Sequence, residues 1–200
     1  MKNIKLVLVG CALVLTSFQS DNLPKKFTDL LSRASLSFIK PDGMVETDCI
    51  QNNQMNYEFV LKYPDKNFEV RYAIRPMDSA LAQYDRAKKR GAVMVHPNNW
   101  SKAGFQATLL NIEMGGLSCG IIPEINYFDS SAVKKEFNAD WGATAFVNLG
   151  KEFGGQTFKY CIAVIIHKNF VGDAYFFYVS DNKDNISELM EKPFHSLRFQ

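Results

Sequence analysis

Reactive side chains are sparse in this chain: among 200 residues stand His96, His167 and His195 and the cysteines Cys11, Cys49, Cys119 and Cys161. A zinc site draws thiolates and imidazoles from short paired spacings, and no histidine here has a second histidine or a cysteine at such a spacing. No metal and no cofactor are expected. A thiol nucleophile needs a base within hydrogen-bond reach. Cys161 and His167 fall on one face of a predicted strand, but six residues of extended chain hold them about 20 Å apart, which excludes direct pairing if the strand is regular. Cys119 and His96 both fall in predicted loops, so that pairing stays geometrically open. Gly116-Leu117-Ser118-Cys119-Gly120 has its glycines at the wrong offsets for a nucleophile elbow, and a phosphate loop ending in Gly-Lys-Ser/Thr is absent. Glu124, Asn126, Asp129 and Asp140 offer oxygens without the dense spacing of a calcium loop, and read as solvated loop groups.

Aromatic loops offer binding chemistry instead. Asp140-Trp141-Gly142 sets an indole between an acid and a glycine, and Val95-His96-Pro97-Asn98-Asn99-Trp100 carries the second tryptophan and the first histidine. An aromatic platform beside a polar group suits ligand or partner contact. Trp100, Trp141, His96, Asn98 and Asp140 are therefore the candidate binding set, expected around one cleft. The competing expectation is that both tryptophans plug a helix–sheet interface. His167, ending an apolar strand, is expected to be a half-buried or edge imidazole, and His195 to be structural.

The first twenty residues say where such a site would work. Lys2 and Lys5 precede an apolar stretch from Leu6 to Leu15, followed by Thr16, Ser17, Gln19 and Ser20. That pattern predicts a secretory signal peptide over 1–20, cleaved around Ser17 to Ser20. The stretch is too short for a membrane span, and the best later segment, Ile162 to Ile166, is shorter still. The mature chain is expected to be extracytoplasmic, periplasmic or secreted, without a transmembrane span. Leu8-Val9-Gly10-Cys11 admits an alternative, a lipobox anchoring the chain through Cys11, although the apolar residues Ala12 to Leu15 stand where a polar tether would follow.

Losing Lys2 and Lys5 leaves 21 basic residues of the original 23 against 21 acidic ones. A balanced chain lacks the cationic excess that phosphate neutralisation requires, so nucleic acid is not an expected partner. One basic cluster, Arg86, Lys88, Lys89 and Arg90, falls in the last turn of a predicted helix, where cations suit the exposed carbonyls; its other reading is contact with an anion or an acidic surface. The mature cysteines, Cys49, Cys119 and Cys161, allow at most one internal disulfide, and a fully reduced set is equally compatible with an envelope protein.

Residues 21–200, rich in apolar side chains, read as a single domain. A short helix runs from Pro24 to near Ala34. A strand over Leu36 to Ile39 turns at Pro41-Asp42-Gly43 and returns over Met44 to Ile50. Tyr57, Phe59, Leu61 and Tyr63 alternate on one face, as do Phe68, Val70, Tyr72 and Ile74, so 56–75 reads as an antiparallel hairpin with Glu69, Arg71 and Arg75 outward, able to pair with Glu58 and Lys62. Caps at Asp78-Ser79 and Ser101 open two helices, the first with Leu81, Tyr84 and Ala87 on one face, and Ser130-Ser131 caps a third. Strands over 143–149, 158–167 and 174–180 follow, the last two joined by a turn over Asn169 to Asp173. A helix over Asn185 to Glu191 and an extended Phe194 to Phe199 close the chain. Hairpins with inserted helices define an α+β fold, a mostly antiparallel sheet with helices packed on one face.

Three segments carry a likeness at this level: Ser37-Phe38-Ile39-Lys40-Pro41-Asp42-Gly43, Gly172-Asp173-Ala174-Tyr175-Phe176-Phe177-Tyr178, and the end formed by Ile186-Ser187-Glu188-Leu189-Met190 with Ser196-Leu197-Arg198-Phe199. Together they resemble the PsbP-like α/β/α sandwich family over residues 36–200, with Met44 where that family carries a tryptophan after the turn. Phe137 to Phe146 is also similar to a motif of exported bacterial proteins. The resemblance implies a non-enzymatic accessory or ligand-binding domain and transfers no catalytic residue. The expected function is an exported, non-catalytic accessory or binding protein of the cell envelope, engaging a protein or small molecule through the loops of Trp100 and Trp141. One alternative is an extracytoplasmic hydrolase using Cys119 or a loop carboxylate; another is a lipid-anchored structural component of an envelope assembly.

Overall fold

Alternation of apolar residues at period two builds the centre of the molecule. The computed structural model describes residues 23–113, 123–155 and 157–200; the predicted leader with Cys11, the loop of Cys119 and the glycines at 115, 116 and 120 lie outside them. In chain order the elements are α1 (Lys25–Arg33), β1 (Leu36–Phe38), β2 (Val45–Glu46), β3 (Phe59–Lys62), β4 (Phe68–Pro76), α2 (Asp78–Lys89), a 3-10 turn (Pro97–Trp100) and α3 (Ser101–Ile112). There follow β5 (Ile125–Tyr127), α4 (Ser130–Phe137), β6 (Trp141–Asn148), α5 (Lys151–Gly154), β7 (Tyr160–Lys168), β8 (Gly172–Ser180), α6 (Ile186–Leu189), α7 (Glu191–Phe194) and β9 (Leu197–Phe199). The sheet is antiparallel throughout, in the order β2-β3-β4-β8-β7-β6-β5.

The protein is thus α+β, but helices cover both faces of the sheet rather than the one expected. On one face Phe59, Tyr72, Phe176 and Tyr178 pack against Phe27 of α1, Phe137 of α4 and Ile186 of α6. On the other Ala73, Ile165, Phe177 and Val179 meet Phe105, Leu109 and Ile112 of α3 and Phe153 of α5. Every residue of β8 is consequently buried, and each fully buried aromatic side chain there contributes about 2 kcal/mol of transfer free energy. A strand flanked on both faces needs a continuous apolar run, which Ala174 to Val179 supplies.

Three expectations about pairing and orientation are corrected. β1 does not fold back onto residues 44–50; it pairs with β9 as a separate two-stranded ribbon, while β2 joins β3. The turn between β7 and β8 occupies only residues 169–171, with Phe170 in the left-handed region at φ +63°. Asp173 therefore belongs to a strand, opposite His167. Arg71, expected at the surface, is 1 % exposed. Its face of β4 is roofed by α5, and its guanidinium lies 5.0–5.5 Å from the rings of Tyr57, Phe153 and Phe158, bound to Glu69 at 3.0 Å and to the Phe153 carbonyl. The cross-strand pair Arg75–Glu58 forms as the sequence suggests, at 3.0 Å.

Capping also differs in detail. Asp129, not Ser130 or Ser131, caps α4 by accepting from the backbone N–H groups of Ser131 and Ala132, and Ser101 makes no side-chain cap on α3. Asp78 opens α2 and takes two bonds from Arg33 of α1, at 2.7 and 2.8 Å, which hold its carboxyl at about 2, below the usual carboxylate range. Leu81, Tyr84 and Ala87 are each half-buried, and α2 buries no side chain fully. α2 is therefore a peripheral helix, and the space beneath it is where the candidate site forms.

Candidate functional site

The 3-10 turn before α3 is set by its own residues. Pro97 supplies a fixed φ at the first position, and His96 Nδ1 accepts from the Asn98 backbone N–H at 3.3 Å. The His96 ring then packs edge-on between Tyr84 of α2 and Phe170 of the β7–β8 turn, at 4.8 and 5.3 Å. Asn98 Oδ1 accepts from the Phe170 N–H at 3.0 Å. On the far side of the same turn, Asp140 Oδ2 accepts from the Asn169 N–H at 2.8 Å. Three of the five sequence-selected residues, His96, Asn98 and Asp140, thus converge on one hairpin tip, Asn98 and Asp140 by accepting from its backbone N–H groups and His96 by ring packing on Phe170.

Trp141 and Trp100 part company. Trp141 is half-buried on β6, stacked on its cross-strand partner His167 at 5.2 Å, with the Lys102 ammonium 5.7 Å from its ring. Trp100 is 61 % exposed and walls a cleft of about 430 Å³ between α2, the 92–100 segment and the start of α3. Met77, Tyr84, Met94, Val95 and Pro97 complete the apolar wall, and Ser101, Asp173 and Tyr175 give the cleft its polar lining. Trp141, His96, Asn98 and Asp140 are not among the described residues lining it.

His167 is fully buried, not half-buried as expected. Its Nδ1 lies 2.6 Å from Asp173 Oδ1 and its Nε2 3.2 Å from Asn169 Oδ1. A serine hydrolase would present the second nitrogen to a hydroxyl; here Asn169 occupies it. The His167–Asp173–Asn169 chain therefore reads as a clamp on the hairpin that carries Phe170, and it sets Asp173 at the cleft. Asp173 carries no signal in the sequence as long as the turn is taken to extend to it. Centring a three-residue turn on Phe170 would have shown His167 and Asp173 face to face.

The polar lining is built for hydrogen bonding. The Ser101 hydroxyl is buried and has no partner among the described residues, an arrangement that costs stability unless something binds there. Burial, and next the nearby Asp173 charge, push the Tyr175 phenol above its ordinary range, so it stays a neutral donor. Arg75 at the edge is engaged by Glu58. A larger space of about 690 Å³ beside Cys49 is lined by the amides of Gln51, Asn52, Asn53 and Asn56 together with Lys26, Ile50 and Tyr57. Burial and Glu58 raise the Cys49 thiol, and burial raises that of Cys161, the reverse of nucleophile activation. Asp129 and Asp140 are committed to backbone amides, and among the described residues no three metal-ligating side chains gather. None of the described helices is long and apolar enough to cross a membrane.

No protein-family profile matches the chain, and neither curated proteins nor solved structures yield a match. The cleft is therefore read from its own chemistry.

Proposed function

We propose that this is an exported, non-catalytic binding protein of the cell envelope, in the manner of PsbP-like accessory domains, and that it holds a small, largely apolar ligand in the cleft beside Trp100. The observation that carries the reading is the combination in one cleft of exposed apolar walls with a buried, unpartnered Ser101 hydroxyl. Ligand sites join apolar surface to a few placed polar groups in this way. The predicted leader supplies the compartment. Asp173 and Tyr175 orient a ligand bearing one hydroxyl or amide group, and Trp100 covers its apolar body.

The test is a fluorescence titration of the mature protein with N-phenylnaphthylamine, a neutral apolar probe. Wild type should enhance the emission saturably. Ala80→Phe, which fills the cleft from α2, and Trp100→Ala should each weaken binding by about tenfold, equivalent to roughly 1.4 kcal/mol, with circular dichroism unchanged. Equal binding by folded variants would remove the cleft from the account. N-terminal sequencing of the protein recovered from its host should begin between Ser17 and Asp21; an intact Met1 start in the cell interior would refute export.

A further inference from the structure

The segment joining α2 to the 3-10 turn exposes apolar side chains that no described residue covers. Val93 is fully exposed, Met94 and Val95 are about half exposed, and Phe170 protrudes beside them at 63 %. His96, touching both Tyr84 and Phe170, ties this tip to the hairpin, and Trp100 stands at its edge. The tip begins directly after the basic end of α2, where Gly91 at φ +76° reverses the chain. Residues 85–100 contain Arg86, Lys88, Lys89 and Arg90 against the single acid Asp85. The rest of the mature chain offsets this excess, so the positive charge is concentrated where the apolar tip is.

We propose that this tip docks the protein on an anionic lipid surface, with Val93, Met94 and Phe170 entering the headgroup–acyl boundary and the four cations lying against the phosphates. A protruding aliphatic loop flanked by lysine and arginine, with a tryptophan at its edge, has the make-up of an interfacial anchor. Charge complementarity selects an anionic bilayer over a neutral one. The convex tip is not a groove, and its side chains lack the directional polar groups that specify a protein partner. Docking would set the mouth of the cleft close to the bilayer, since Met94, Val95 and Trp100 belong to both.

Val93 and the four cations do not line the cleft, so this inference and the ligand reading fail separately. The experiment is co-sedimentation of the mature protein with vesicles of phosphatidylcholine alone and of equimolar phosphatidylcholine and phosphatidylglycerol. Partition onto the anionic vesicles only, relieved by salt and accompanied by a blue shift of Trp100 emission in Trp141→Phe protein, is expected. Lys88→Glu/Lys89→Glu and Val93→Asp, none of which touches the cleft lining, should each lower partition about tenfold or more while N-phenylnaphthylamine binding persists. Partition that survives Val93→Asp, absence of partition at low salt, or binding to soluble polyglutamate in place of vesicles would overturn the proposal.

Discussion

Replacing Arg71 by alanine is expected to lower the unfolding free energy by about 3–5 kcal/mol, the cost of breaking a buried ion pair from one side. The guanidinium is an interior cation, held by Glu69 at 3.0 and 3.1 Å and by the Phe153 carbonyl. Three aromatic rings surround it, adding cation–π attraction and leaving a cavity when the side chain is removed. Alanine strips both partners at once and orphans a carboxylate whose side chain is only 15 % exposed. Arg71→Met should restore the packing without the charge and fall between the two. Urea unfolding with an unchanged slope measures both variants; a loss below about 1 kcal/mol for alanine would mean that the cage relaxes around the gap.

Gly172→Ala is expected to cost about 2–4 kcal/mol, a large effect for one methyl group, because the obstacle is backbone. A Cβ there would stand 2.7 Å from the Arg75 carbonyl oxygen and 3.2 Å from the Pro76 Cα. Gly172 pairs with Pro76 on one side and Lys168 on the other, so neither neighbouring strand can yield independently. The next residue is Asp173, and a displaced β8 would also loosen the His167 clamp. Gly91→Ala is the control: its φ is positive but its surroundings are open, so only the local backbone cost of about 1 kcal/mol applies. Similar losses at the two positions in thermal or urea unfolding would contradict the close-approach argument.

Much of the sheet was legible because alternation fixes which residues share a face. Phe59 to Tyr63 and Phe68 to Ile74 announced β3 and β4, although Tyr57, expected on the face of Phe59, precedes the strand and packs in the opposite core, and the apolar run of residues 174–179 announced β8. What alternation cannot convey is which strands become neighbours across long separations: β4 lies beside β8 in the doubly covered sheet, and β1 beside β9 in a separate ribbon. The same gap explains Arg71, since a charged residue in a strand reads outward unless the roof supplied by α5 is known. In the site, His96, Asn98 and Trp100 stood out by residue type, and the structure places all three at the 3-10 turn with only Trp100 lining the cleft. Asp173, Ser101 and Tyr175 did not, because a buried hydroxyl or carboxylate gains its meaning only from what folds over it.

The central claim is that the Trp100 cleft receives an apolar ligand. It is tested most directly by following the two indole N–H resonances of nitrogen-labelled protein during titration with N-phenylnaphthylamine. The account predicts that the Trp100 signal moves saturably while that of Trp141, stacked on His167 away from the cleft, stays in place. A stationary Trp100 signal at saturating probe, or movement confined to Trp141, would contradict it.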